Sequence, residues 1–347
     1  MAEFGVGIVG AGTIGKVHAA ELAGVEAAEL VAVAEPLEEA GRELAGEYGA
    51  GWHADTEALL DRDDVDVVVL CTPSGLHPDE AVAAARAGKH VITEKPMAVT
   101  LDGVDRMIGA CREAGVTLSV IFQYRFNRDV LRMKRALEAG HFGQPVLCNA
   151  IVHWHRPQAY YDEKGGWRGT WDLDGGGSLM NQSVHAVDLL QWLLGPVESL
   201  CAYSETLTHY IETEDLATAA LRFHSGAMGV IQGTTCADRD YPLKVELRGT
   251  EGSATFEGTR LTGWYPNRDE EVLSERELVL FPDSVEEPFG AAHGRQLREI
   301  FDALREGREP PVPGEEALKA VEIILATYRA ARSGERVPLP LRTQGAS

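Results

Sequence analysis

With 347 residues, 44% of them hydrophobic, the chain is long enough for two cores rather than one. Its 54 acidic against 32 basic residues leave a net charge of −22, which disfavours nucleic acid and anionic membranes as partners. Five cysteines without paired spacing, no visible signal peptide and no apolar run near the roughly 18–20 residues of a membrane span make the cytoplasm the expected location.

The chain opens on "FGVGIVGAGTIGKVHAAELAG", an apolar strand, a glycine-rich turn and a helical stretch in order. The turn is G-x-G-x-x-G at Gly10, Gly12 and Gly15, with Thr13 and Ile14 inside it. The first glycine permits the tight turn and the second lets the backbone approach a pyrophosphate. The third allows close helix–strand contact, and the helix start offers N–H groups to the phosphates. A lone motif of this kind is weak evidence. Here a second strand, "ELVAVAEP", ends in Glu35, twenty positions after Gly15, where an acid holds the ribose hydroxyls. Glu35 would repel a 2′-phosphate, so NAD is expected over NADP.

"VDVVVLC" reads as a buried parallel strand and "TPSGLHP" as the loop leaving it, with Thr72, Pro73 and His77. A helix, "DEAVAAARAGK", stops near Gly88, and "HVITEK" is the next strand. Ligands of open α/β sheets sit outside the carboxyl ends of the strands, so Gly10, Glu35, Thr72 and Lys95 should share one edge. Lys95, between Glu94 and Pro96, then projects toward the nicotinamide end of a dinucleotide, and the Lys95–Pro96 bond is a candidate for the cis form. A lysine at a strand end, taken alone, is more often a surface residue.

After "TLSVIFQYRFN" the strand–helix alternation breaks, which places a Rossmann domain at 1–123 and a second domain at 124–347. Tyr124 and Arg125 border the expected nicotinamide site. "RDVLRMKRALEAGHFG" reads as a helix and "QPVLCNAIVHWHR" as a strand. The aromatic segment that follows holds Trp154, Arg156, Tyr161, Trp167 and Arg168, which suit a polyol pocket or, equally, a packed loop. In "GGGSLMNQSVHAVDLLQWLLG" a helix capped by Ser178 puts Asn181, His185, Asp188 and Trp192 on one face. That helix is apolar almost all round, so its polar stripe needs partners. From "GPVESLCAYSETL" onward short period-2 segments predict a largely antiparallel sheet with one open face, fit for a homodimer or homotetramer. Two amphipathic helices close the chain. The histidines of "HWH" lack a third ligand, so no metal is expected.

Taken in order, "GAGTIGKVH", "AEP", "CTPSGLH", "EKPMA", "GGGSLMNQSVHAVDLL" and the closing helices resemble the glucose–fructose oxidoreductase / inositol dehydrogenase / rhizopine-catabolism family, written Gfo/Idh/MocA. The resemblance implies a Rossmann domain followed by an α/β domain on a large, mostly antiparallel sheet. It implies oxidation of a secondary alcohol of a sugar or cyclitol, or the reverse reduction, in dimers or tetramers. It makes Lys95 the catalytic lysine and His185 the acid/base residue. Inositol dehydrogenase-like members carry Asp four residues before that histidine; here it is Asn181, closer to the branch acting on nucleotide sugars or glycosides. The expected chemistry has Lys95 stabilising charge on the substrate oxygen, His185 taking its proton and Asn181 orienting the substrate or the imidazole. His293 is a further candidate. Two alternatives stay open: a glycosidase using retained NAD for transient C3 oxidation, and a non-catalytic NAD(H) sensor.

Overall fold

The computed structural model of the chain describes residues 2–268, 270–280 and 290–341. One compact unit takes residues 1–123 and 288–318, the other 124–287 and 319–347.

In the first unit six parallel strands are β1 (Phe4–Val9), β2 (Ala28–Ala34), β3 (Gly51–His53), β4 (Val67–Leu70), β5 (His90–Thr93) and β6 (Leu118–Val120). Their order is β3-β2-β1-β4-β5-β6, the doubly wound order of dinucleotide-binding sheets. β4 is apolar at every position because both faces of a parallel sheet are covered by helices. The order reverses between β1 and β4, and the turns leaving these two strands open the crevice where such sheets take their ligands.

Residues 124–347 do not form one domain. The helix Ala291–Glu306 belongs to the first unit, where Leu297, Ile300 and Phe301 are fully buried against Val6, Ile8 and Val33. Burying each of those three side chains contributes about 1.5–3 kcal/mol. Gln296 fastens the helix to the sheet: its Oε1 accepts the Phe122 N–H at 3.0 Å and its Nε2 donates to the Val120 carbonyl at 2.8 Å. An amphipathic pattern reports that a helix has a buried face but not which sheet it covers.

The second unit is built on an eight-stranded sheet. Its strands are β7 (Pro145–His153), β8 (Val197–Glu205), β9 (Leu216–Phe223), β10 (Met228–Thr234), β11 (Lys244–Gly249), β12 (Ser253–Glu257), β13 (Arg260–Tyr265) and β14 (Val337–Pro338). They run in the order β13-β12-β11-β7-β10-β9-β8-β14, antiparallel throughout except for the parallel pair β7 and β10. Burial alternates along β9: Ala217, Ala219, Leu221 and Phe223 are covered, while Thr218, Ala220 and Arg222 are exposed. The helix Val184–Leu194 packs on the covered face, against β7 and β11. Among the described residues, no helix is long and apolar enough to cross a membrane.

Candidate active site

The glycine turn of the first unit does what its spacing requires. Gly10 has φ +99°, and a Cβ there would stand 2.9 Å from the Cys71 carbonyl group. A Cβ on Gly15 would lie 2.1 Å from the Gly10 carbonyl oxygen, so only glycine lets the helix Thr13–Leu22 approach the turn. A Cβ on Gly12 meets nothing within 4 Å, and Gly12 gives the helix no side-chain cap. This leaves open ground for a pyrophosphate over the helix start carrying Thr13 and Ile14. Glu35, at the end of β2, turns back onto this turn: its Oε2 accepts the Ala11 N–H at 2.8 Å and its Oε1 the Leu37 N–H at 3.0 Å. The bare turn and the adjacent carboxylate fit a dinucleotide with an unmodified ribose.

Thr72 and Pro73 leave β4. The Thr72 hydroxyl is committed to Glu80 Oε2 at 2.5 Å, and burial pushes the Glu80 carboxyl up to about 7. His77 is fully buried, with its ring nitrogens 3.0 Å from the carbonyl oxygens of Thr72 and Pro96. It therefore braces two loops from its place between them. Glu94 is also buried, against His18 Nε2 at 2.8 Å. Its other oxygen accepts the Lys95 N–H at 3.1 Å, and the Lys95–Pro96 peptide is cis. Burial drives the Glu94 carboxyl up, but His18, His293 and Lys95 outweigh it and hold the group at about 2.

In the second unit the polar stripe finds partners. Arg125 grips Asp188 with two hydrogen bonds, Nε to Oδ2 at 2.7 Å and Nη2 to Oδ1 at 2.5 Å, both side chains buried. Its guanidinium also lies 5.1 Å from the Trp192 ring centre. This pairing gives Arg125 a structural task that its spacing did not disclose. The rings of Tyr124 and His185 stand 5.2 Å apart, and His185 is 6% exposed.

Upstream of His185 the helix departs from expectation. Ser178–Ser183 is a π-helical turn, and the α-helix begins only at Val184. Ser178 does not cap it. Instead the buried Glu214 carboxylate accepts the N–H groups of Gly177 at 3.0 Å and Leu179 at 2.8 Å. A Cβ on Gly177 would fall 1.9 Å from the Glu214 carbonyl oxygen. The fit against a neighbouring segment, not local propensity, sets this helix start. Asn181 Nδ2 donates to the buried Asp174, while Asn181 Oδ1 accepts from Gln182 Nε2 at 2.8 Å.

The aromatic segment forms a layered cluster. Arg168 lies 4.2 Å from the Tyr160 ring centre and 5.3 Å from that of Trp167, and Arg156 lies 5.1 Å from that of Trp154. Arg156 also pairs with Asp240 at 3.0 Å and reaches Gln182 Oε1 at 3.2 Å. Tyr161 is only 4% exposed, and its hydroxyl donates to Thr235 at 2.8 Å, which packs it into the loop. Among the described residues, His209, Asp215 and Cys236 bring ligand-type atoms within 4.8 Å of one another. The Asp215 oxygens already accept the N–H groups of Leu207, Thr208 and His209, which makes this a hydrogen-bonded knot.

Residues 4–122 match the oxidoreductase family described by its NAD-binding Rossmann fold, and residues 130–255 match the GFO/IDH/MocA C-terminal domain. The crystal structure of the WlbA dehydrogenase from Bordetella pertussis, in complex with NADH and UDP-GlcNAcA, is 37% identical. The two align over 98% of this chain and 99% of that one, with a TM-score of 0.89. The chain belongs to the Gfo/Idh/MocA family. As a member of that family it is an NAD-dependent oxidoreductase. Two curated relatives are each 28% identical. They are myo-inositol 2-dehydrogenase of Thermotoga maritima, covering 95% of this chain and 96% of its own, and levoglucosan dehydrogenase of Pseudarthrobacter phenanthrenivorans, covering 78% and 76%.

What this Gfo/Idh/MocA sequence hid were the partners. Asp174 and Gln182 flank Asn181, Glu214 holds the helix start, and His18 holds Glu94. Of these only His18 carried a local signal, as a lone titratable residue on an otherwise apolar helix face.

Proposed function

We propose that the chain oxidises a secondary alcohol of a sugar, with Lys95 and His185 as its polar catalysts and an acid-bearing nucleotide sugar as the first candidate substrate. The observation that carries this reading is the 37% identity, over 98% of the chain, to a dehydrogenase whose complex holds NADH and UDP-GlcNAcA. The inositol and levoglucosan relatives, at 28%, are more distant.

Bound NAD supplies the acceptor for the hydride that leaves the carbinol carbon. As the hydride departs, negative charge grows on the oxygen; the Lys95 ammonium stabilises it and His185 takes the hydroxyl proton. Asn181 orients the reacting groups. It brings no charge of its own, but it donates to Asp174, so the carboxylate that inositol dehydrogenase-like members carry at this position has a counterpart one side chain back. Arg168, stacked on Tyr160 and Trp167, is the cation offered to a carboxylate or phosphate of the substrate. Tyr124, Trp154, Arg156 and Trp167 complete the proposed lining. The reading includes a cytoplasmic enzyme, in keeping with free thiols at Cys71, Cys111, Cys148, Cys201 and Cys236. It also includes self-association through the open face of the second unit's sheet.

The test is a panel of UDP-GlcNAcA, myo-inositol and levoglucosan, each with NAD and with NADP, read by the absorbance of the reduced nicotinamide. The reading expects NADH formation, fastest with UDP-GlcNAcA. No reduction with any compound overturns it, and glycoside cleavage without net NADH marks the retained-cofactor alternative.

A further inference from the structure

Beneath Lys95 lies a buried pair that the chemistry above does not use. The helix Thr13–Leu22 buries Gly15, Ala19 and Leu22, and among these small and apolar residues it also buries His18, which is 0% exposed. Leucine would pack there without needing a hydrogen-bond partner. His18 Nε2 instead stands 2.8 Å from Glu94 Oε1, and since a carboxylate only accepts, Nε2 carries the proton. His18 Nδ1 has no hydrogen-bond partner among the described residues, so the ring's single polar contact is with Glu94. The second Glu94 oxygen accepts the Lys95 N–H at 3.1 Å. One carboxylate therefore joins the glycine-turn helix to the backbone of the proposed catalytic lysine.

We propose that His18 is a positioning residue for Lys95, holding Glu94 in the orientation and ionised state that fixes the Lys95 backbone and gives its ammonium a buried counter-charge. The proposal rests on the reading of Lys95 given above. Buried carboxylates stay ionised only where donors and cations replace water. The titratable groups facing Glu94 come from four further places in this unit. They are His18, His293 of the helix Ala291–Glu306, His77 of the helix His77–Arg86 and Cys71 at the end of β4, besides Lys95 itself. His293 meets His18 edge-on, ring centres 5.6 Å apart, and burial lowers it to about 4, so it is neutral at physiological pH. Cys71, pushed well up by burial, is neutral as well. Burial also lowers His77, whose nitrogens are held by two carbonyl oxygens. His18 thus donates to Glu94 from its side chain, and Lys95 is a cation beside it.

The variants are His18→Asn, whose amide is too short to reach Glu94, and His18→Gln, whose amide nitrogen falls near the Nε2 position. Glu94→Gln and Lys95→Met serve as references. Infrared difference spectra against pH follow the carboxylic C=O band that Glu94→Gln removes. Turnover is followed over the same range with whichever panel compound yields NADH. The expected result is a Glu94 band that appears in His18→Asn at mildly acidic pH, where the native chain and His18→Gln show none. Below that midpoint kcat falls about tenfold per pH unit, as for loss of one essential ionised group. If His18→Asn does not fold, His18→Gln against Glu94→Gln decides, with native-like profiles expected only for the former. A Glu94 band and kcat profile unchanged by His18→Asn, or a uniform loss at every pH, overturn the proposal alone. Lys95→Met with native turnover overturns the reading of Lys95 and the proposal with it.

Discussion

Glu35 stiffens the glycine turn by accepting the Ala11 and Leu37 N–H groups, and we propose that the same carboxylate selects the cofactor. Replacing it with serine removes the charge that opposes a 2′-phosphate. Glu35→Ser should raise kcat/KM with NADP relative to NAD by at least about tenfold, equivalent to ~1.4 kcal/mol. An unchanged ratio in steady-state assays would mean that cofactor choice lies elsewhere. Glu94 makes a second residue-scale prediction. Its folded proton affinity, about 2, lies below the ordinary 4.5. Its contribution to stability is therefore present above 4.5 and lost as pH falls through about 2. Glu94→Gln should flatten that part of the Tm–pH curve, and a parallel curve would contradict the assignment. Residues whose role depends on neighbours in sequence, such as Gly10, Gly15 and Glu35, are legible from their spacing alone. Arg125 and His77 read as ligand contacts from their positions, and their buried partners Asp188, Thr72 and Pro96, distant in sequence or on the backbone, were not legible.

At the scale of elements, β1, β2 and β4 declared themselves as apolar runs and β9 by its alternation, whereas the three-residue β3, Gly51–His53, is too short and polar to show. Two things stayed hidden, both set by segments distant along the chain. One is the destination of the helix Ala291–Glu306. Phe301→Ala should cost about 3–5 kcal/mol of stability and weaken NAD binding, because its cavity opens in the dinucleotide-binding unit. A calorimetric scan with and without NADH checks both effects. The other is the π-helical start before His185, which no periodicity could foretell because Glu214 imposes it. Gly177→Ala drives a methyl against the Glu214 carbonyl and should lower stability by about 1–3 kcal/mol. A variant as stable as the parent in urea unfolding would show that the turn yields without cost.

For the molecule as a whole, the charge of −22 repels anions, so an anionic substrate needs a local cation. Lys95 and Arg168 are the ones assigned to it. The open face of the second unit's sheet is the proposed site of self-association. There Tyr203 is 80% and Met228 56% exposed, beside the small Ala220. Ala220→Glu puts a charge at its middle and should reduce the native mass in light scattering without unfolding the protomer. An unchanged mass would contradict self-association through this face.

The most direct test of the account compares single-turnover NADH formation in the native chain, Lys95→Ala and His185→Ala, each loaded with NAD and mixed with the panel substrate that reacts. The account predicts a fall of about 10²–10⁴ in the rate for each variant, with NAD still bound. Native rates in both variants would contradict it.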